Sequence, residues 1–163
     1  MDETLAPGPV ADAVTRLALE KARAVAGGVP DAVVLGADTV VVVGHEVYGK
    51  PGGPDEARRM LRRLSGRSHE VVTGIAVVAP GAASATAVVS GVMMSVLTDA
   101  EIDAYVASGE PLDKAGAYAI QGLGGRLVAG LIGSYTNVIG LPLEATRRLL
   151  AAAGVELKPA AEP

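Results

Sequence analysis

An aspartate and a threonine interrupt the apolar segment "VVLGADTVVVV", residues 33–43. Strand alternation places Asp38 on the same face as Gly36 and the opposite face from Thr39. A carboxylate among apolar neighbours is costly unless it has a partner or binds a cation. Asp38 is therefore either a strand residue bonded to backbone amides, or a metal ligand or general base. Gly36 predicts close approach of a ligand to the strand backbone.

Two lysines stand where a positive charge could meet an anion. Lys21 falls within the apolar arc of a helix predicted over 9–26, at about 100° per residue. It either extends past the edge of the core or holds its ammonium over a cleft. Lys50 lies in "YGKPGG", whose glycines leave room for phosphate oxygens. This segment lacks the spacing of a Walker loop, so a solvated turn lysine is the other interpretation.

The segment "GEPLDKAGAYAIQGLGG", residues 109–125, is too long and glycine-rich for an ordinary connector. It predicts a mobile, ligand-holding loop on which Lys114 and Gln121 are candidate substrate-binding residues. The Gln121 amide both donates and accepts hydrogen bonds, so it could either read a base edge or brace the loop.

Composition excludes several classes of protein. With no cysteine among 163 residues, disulfides, thiolate zinc sites and cysteine nucleophiles are excluded. Two histidines, His45 in a turn and His69 at an expected strand edge, are too few for a histidine-rich metal site. A net charge of −4 with no Phe or Trp argues against a nucleic acid polymer as partner. No apolar run reaches about 18 residues and no leader pattern opens the chain, which predicts a cytoplasmic protein without membrane contact.

The elements that must position these residues are helices mixed with antiparallel strands. Prolines, glycines and a Thr98–Glu101 capping box predict helices over 9–26, from Pro54 to Gly66, over 99–107 and from Pro142 to Gly154. Alternating apolar patterns predict strands over 32–43, in a hairpin of "EVVTGIAVVA" with "TAVVSGVMMSVL", and in "GGRLVAGL". This order favours a layered α/β or α+β fold.

Taken together, "LGADTVVV", "GKP", "EARRMLRRLSGRSHEVVTG", "GEPLDKAGAYAIQGLGG" and "GSYTNVIGLPL" resemble the Maf family of nucleoside triphosphate pyrophosphatases. The resemblance covers nearly the whole chain, from about Asp2 to Gly154. It implies a single α/β domain over residues 1–163, with an elongated mixed sheet, flanking helices and a central cleft, as in inosine triphosphate pyrophosphatases. Homodimers are common in the family.

The activity that the resemblance implies is hydrolysis of a nucleoside triphosphate to a nucleoside monophosphate and pyrophosphate, with Mg²⁺ or Mn²⁺. Asp38 matches the family's proton acceptor and is assigned to metal binding and to orienting the attacking water. Glu3 is a second candidate metal ligand. Lys21 and Lys50 match lysines that neutralise the triphosphate. Thr39 and Gln121 match positions associated with substrate choice, and "ADT" with "IQG" resembles the branch acting on dTTP and UTP.

The chain departs from the family at its start. The family opens with a strand and an "S-x-x-R-R" loop, and nothing before Asp2-Glu3 matches it. We therefore expect this strand and its arginine to be absent, and weak activity that an upstream segment would restore. A nucleotide-binding regulatory protein of septum formation and cell division, with little or no catalysis, is the alternative. A phosphatase acting on the terminal phosphate is a third interpretation.

Overall fold

The computed structural model describes residues 8–159. Its helices are α1 (Pro9–Ala26), α2 (Pro54–Leu64), α3 (Asp99–Ala107), α4 (Tyr135–Ile139) and α5 (Leu143–Ala152). Its strands are β1 (Val34–Val43), β2 (Glu46–Tyr48), β3 (Ser68–Ala79), β4 (Ala82–Met94) and β5 (Val128–Ile132). Three short 3₁₀ turns, Glu110–Asp113, Ala115–Ala117 and Leu123–Leu127, lie between α3 and β5.

Prolines in the first turn and a capping box explain where the helices begin. A proline stands in the first turn of both α1 and α2, where its missing N–H costs nothing. The Thr98 side chain accepts from the backbone N–H of Glu101 while the Glu101 side chain accepts from the backbone of Thr98, so the predicted capping box opens α3. The four predicted helices are confirmed, and α4 is an additional short one.

The five strands form one sheet in the order β2-β1-β3-β4-β5. The long β3–β4 hairpin is confirmed, and Asp38 in β1 lies opposite Gly74 in β3. The predicted α/β class with flanking helices is confirmed. Within residues 8–159 every strand pair is antiparallel, whereas the resemblance implies a mixed sheet.

Helix α1 crosses one face of the sheet over two glycines. A Cβ at Gly36 would lie 2.4 Å from the Ala18 carbonyl oxygen, and one at Gly74 would lie 2.3 Å from that of Val14. Gly36 thus admits a helix, and its assignment to ligand approach is wrong. Only small or medium side chains fit this contact. The buried stripe of α1 is Ala11, Val14, Ala18 and Ala22.

The opposite face of the sheet carries the main core, against which α2, α3 and the segment following α3 pack. The largest side chains buried there include Leu61, Leu64, Ile102 and Met94. The arginines of α2 stay off this core: Arg58 and Arg62 form ion pairs of 2.8 Å with Asp103 and Asp99 of α3. Among the described residues, no helix has both the length and the apolar character needed to cross a bilayer.

Candidate active site

One cavity of about 270 Å³ gathers six of the predicted site residues from four separate parts of the chain. Helix α1 contributes Lys21, the middle of β1 contributes Asp38 and Thr39, and the turn after β2 contributes Lys50. The segment after α3 completes the lining with Lys114 and Gln121. Their separation in sequence and proximity in space make this cavity the candidate active site.

Asp38 is paired with a cation rather than with backbone amides. Its Oδ1 accepts a hydrogen bond from the Lys21 ammonium in an ion pair between β1 and α1. The Asp38 side chain is 19% exposed and that of Lys21 57% exposed. Lys21 therefore offsets part of the cost of placing a carboxylate beside the sheet, while its own exposure leaves it able to move toward a ligand.

Three of the four lysines in the chain line this cavity. The Lys114 ammonium donates to Asp113 at 2.6 Å, and this hydrogen bond and the charge of Lys114 hold the pKa of the Asp113 carboxyl below its usual range. Lys50 is exposed and forms no ion pair within residues 8–159. The backbone N–H of Gly116 donates to the Gly49 carbonyl at 3.1 Å, which links the two lysine-bearing segments.

Thr39 is held in place by a chain of hydroxyl and backbone contacts. Its Oγ1 lies 2.9 Å from Thr73 Oγ1 and donates to the Gly140 carbonyl at 3.5 Å. Thr73 Oγ1 in turn donates to the Asn137 carbonyl at 3.3 Å. Because Thr73 and Asn137 are fully buried, they fix the position of Thr39 at the cavity wall.

The loop carrying Lys114 and Gln121 is braced by hydrogen bonds between its backbone and two side chains, Glu110 and Tyr105. The Glu110 carboxylate accepts backbone hydrogen bonds from Leu123 and Gly124, each at 2.9 Å. The backbone N–H of Ala119 donates to the Tyr105 hydroxyl at 3.0 Å. Gln121 itself is exposed, and within residues 8–159 its amide makes no hydrogen bond.

His69 is a structural neighbour of the site that sequence reasoning missed. It is 3% exposed in β3, and its Nε2 lies 2.7 Å from the hydroxyl of Tyr118, which lines the cavity. The two rings meet edge to face with centroids 5.4 Å apart. Burial lowers the pKa of His69 to about 4. His69 is the second residue of β3, near the beginning of the strand as expected, and its burial comes from the elements packed around it.

The donor set suits a metal ion bound partly by its ligand. The described residues hold no group of three or more His, Asp or Glu side chains arranged for a metal. Glu3, the second predicted ligand, lies outside the described residues. Asp38 nevertheless presents a partly exposed carboxylate to the cavity. Mg²⁺ commonly binds through one or two carboxylates together with substrate phosphates, so Asp38 fits such an ion.

A larger depression of about 1650 Å³ lies along β4 and β5 and contains none of the predicted site residues. Its lining is mostly aliphatic, with Val88, Val89, Leu131 and Ile132 among the contributors. The larger volume of this depression is therefore not evidence that the active site lies there. The smaller cavity has the convergent charges that binding a polyanion requires.

The fold and the cavity define an α/β protein with an antiparallel sheet and a lysine-rich, carboxylate-bearing cleft. Residues 1–153 match the family described as Maf-like protein. The chain belongs to this family.

Relatives in three bacteria carry the name dTTP/UTP pyrophosphatase. The Moorella thermoacetica protein is 57% identical over 91% of this chain and 78% of its own length. The Anaeromyxobacter dehalogenans protein is 55% identical over 96% of this chain and 81% of its own length. A Shewanella protein is 49% identical over 95% of this chain and 82% of its own length.

Proposed function

We propose that this chain hydrolyses nucleoside triphosphates, with dTTP and UTP as preferred substrates, to nucleoside monophosphates and pyrophosphate. The observation that carries the proposal is the meeting of three lysines with Asp38 in one cavity. The similarity to relatives named dTTP/UTP pyrophosphatase supports the same reaction.

The lysines act on the charge of the triphosphate. Phosphoryl transfer requires positioning and electrostatic stabilisation more than covalent chemistry from the protein. Lys21 and Lys114 are each paired with a carboxylate before a ligand arrives. A bound triphosphate would attract both ammonium groups, together with Lys50, and so offset the negative charge that builds on the departing pyrophosphate.

Asp38 acts at the other end of the reacting bond. Its carboxylate accepts a hydrogen bond from the attacking water and takes up the proton as the water oxygen bonds to the α-phosphorus. The bond from that phosphorus to the bridging oxygen breaks, and pyrophosphate leaves. Asp38 would also hold a divalent cation, Mg²⁺ or Mn²⁺, which supplies charge neutralisation at the phosphate oxygens when bound.

Thr39 and Gln121 are proposed to contact the nucleoside. Thr39 presents a hydroxyl fixed by Thr73, and Gln121 presents an amide that can both donate to and accept from a pyrimidine edge. The cavity volume of about 270 Å³ is slightly below the range of roughly 300–1000 Å³ usual for small-molecule sites. A nucleoside triphosphate would therefore extend past the cavity mouth.

The test is product analysis with purified protein, Mg²⁺ or Mn²⁺, and a panel of dTTP, UTP, CTP, dATP and GTP. The proposal predicts nucleoside monophosphate and pyrophosphate in equal amounts, with dTTP and UTP turned over fastest. Orthophosphate with a nucleoside diphosphate would instead identify a terminal phosphatase. Calorimetry showing nucleotide binding without any product would favour the regulatory alternative.

The assembly and location follow from the same proposal. The family resemblance supports a homodimer, which sedimentation at several protein concentrations would test. Its substrates are cytoplasmic metabolites, so a cytoplasmic location is part of the proposal and stays a prediction.

A further inference from the structure

The loop that carries Lys114 and Gln121 is closed at its base by one carboxylate. Glu110 begins the first 3₁₀ turn after α3, before both residues. Its Oε1 accepts from the backbone N–H of Leu123 and its Oε2 from that of Gly124, each at 2.9 Å. Residues 110–124 therefore form a loop whose two ends are joined through a single side chain.

Tyr105 of α3 extends this contact to the other side of Gln121. Its hydroxyl donates to Glu110 Oε2 at 2.5 Å and accepts from the backbone N–H of Ala119 at 3.0 Å. Tyr105 is 6% exposed and belongs to the main core. The backbone is thus anchored two residues before Gln121 and two and three residues after it.

The glycines in "QGLGG" fit around this carboxylate. A Cβ at Gly122 would lie 1.7 Å from Glu110 Oε1, and one at Gly124 would lie 2.5 Å from the Tyr105 hydroxyl oxygen. Although partial burial opposes it, the hydrogen bonds from Tyr105, Gly124 and Leu123 hold the pKa of Glu110 below its usual value. The carboxylate is therefore the charged acceptor around which the loop is built.

We infer that Glu110 is a positioning residue that sets the orientation of Gln121 toward the base of the nucleotide. This inference rests on the proposed function, because it takes Gln121 to contact the base of the nucleotide and the lysines to contact its phosphates. The Gln121 side chain makes no protein hydrogen bond within residues 8–159, so the anchored backbone on either side of it limits the positions that its amide can reach. Without these anchors, the loop as well as the side chain would have to be ordered by each binding event.

The substitution that isolates this role is Glu110→Gln, which keeps the shape but replaces one acceptor oxygen with an NH₂ donor. One backbone N–H then faces another donor and loses its partner. Tyr105→Phe is a milder second variant that removes only the hydroxyl, and Glu156→Gln, at an exposed glutamate that follows α5, is the matched control.

The ligands are α,β-methylene-dTTP, which cannot be cleaved between its α and β phosphates, and inorganic tripolyphosphate, which has no base. Calorimetry with Mg²⁺ should show Glu110→Gln binding the nucleotide analogue about tenfold more weakly than wild type. Its affinity for tripolyphosphate should stay within about twofold of the wild-type value. Tyr105→Phe should shift the same ratio in the same direction, and Glu156→Gln should leave both affinities unchanged.

A double-mutant cycle separates positioning from general destabilisation. If Glu110 acts through Gln121, the Glu110→Gln change should weaken analogue binding no further in a Gln121→Ala background. Additive losses, or equal weakening of both ligands, would overturn the inference, as would a wild type that fails to bind the analogue. A wild type that binds the analogue but releases no pyrophosphate from dTTP would refute the proposed activity, while the affinity ratio would still decide whether Glu110 positions Gln121.

Discussion

The Lys21 ammonium of α1 and the Asp38 carboxylate of β1 form an ion pair at the wall of the charged cavity, although they are 17 residues apart in sequence. The pair forms because α1 crosses the sheet directly over Gly36 and Gly74, whose lack of side chains brings the helix backbone close. The same packing that builds the fold therefore places a cation beside the proposed catalytic carboxylate.

Asp38→Asn should lower kcat/KM for dTTP by about 10²–10⁴-fold, because the amide can neither take the proton of the water nor hold a cation as a carboxylate does. The free energy of unfolding should change by less than about 1 kcal/mol, since the ion pair with Lys21 is partly exposed. Asp31→Asn, at an exposed aspartate before β1, is the control and should keep wild-type kinetics. Retained turnover in Asp38→Asn would remove Asp38 from the mechanism.

Lys50→Gln and Lys114→Gln should each raise KM for dTTP by about tenfold to a hundredfold, because each removes a charge-assisted contact to phosphate. The difference in KM between wild type and Lys50→Gln should shrink as salt is added, since salt screens the contacts of the exposed Lys50 with phosphate. Lys158→Gln changes the remaining lysine, which is exposed near the end of the described residues, and should leave KM unchanged. Equal effects of all three substitutions would point to net charge rather than to the cavity.

Gly74→Ala should destabilise the protein by about 1–3 kcal/mol, because the new methyl group would overlap the backbone of α1 at Val14. Urea unfolding measures this loss, and activity should fall with it as α1 and Lys21 move away from β1. Gly28→Ala is the control, since a Cβ there meets only an ordinary contact of 3.6 Å. Unchanged stability in Gly74→Ala would show that α1 does not pack closely on this strand.

His69 should make stability depend on pH between about 6.5 and 4. Burial lowers its pKa from 6.5 to about 4 in the native state. As pH falls through this window, the unfolded chain binds a proton that the native chain excludes, so the free energy of unfolding decreases, by about 3 kcal/mol at most. The contribution is fully present above pH 6.5.

Unfolding by urea at about pH 7.5 and about pH 4.5, on either side of most of this window, tests the dependence. In His69→Gln the part of the acid destabilisation due to this histidine should disappear. His45→Gln, which changes the exposed histidine of the β1–β2 turn, should retain the wild-type dependence. If His69→Gln and wild type lose the same stability on acidification, burial does not keep His69 neutral in the native protein.

The helices and strands can be predicted from the sequence where neighbouring residues, such as proline and glycine, mark their ends. Pro9 and the glycines at 27 and 28 delimit α1, and period-two apolar patterning identifies the β3–β4 hairpin. The apolar arc of α1 predicts burial of its larger residues, yet Leu17 and Val25 are exposed at 41% and 58%. The helix packs through alanines because it meets glycines on the sheet, and nothing local in α1 reveals this partner.

The residues of the site also divide into those that the sequence identifies and those that it does not. Asp38 and Lys21 are identifiable because a charge within an apolar pattern requires a partner. Glu110 and His69 are not, because their roles depend on contacts with residues 13 and 49 positions further along the chain. A glutamate before a proline and a histidine in a strand have many ordinary uses. Only the fold shows that both support the loop around Gln121.

The central claim, that the lysines and Asp38 direct water to the α-phosphorus, is tested most directly by hydrolysing dTTP in ¹⁸O-enriched water and analysing both products by mass spectrometry. The proposed mechanism predicts one ¹⁸O atom in dTMP and none in pyrophosphate. Label in pyrophosphate would place the attack on the β-phosphorus, and labelled orthophosphate would place it on the terminal phosphate; either result would contradict the proposed arrangement.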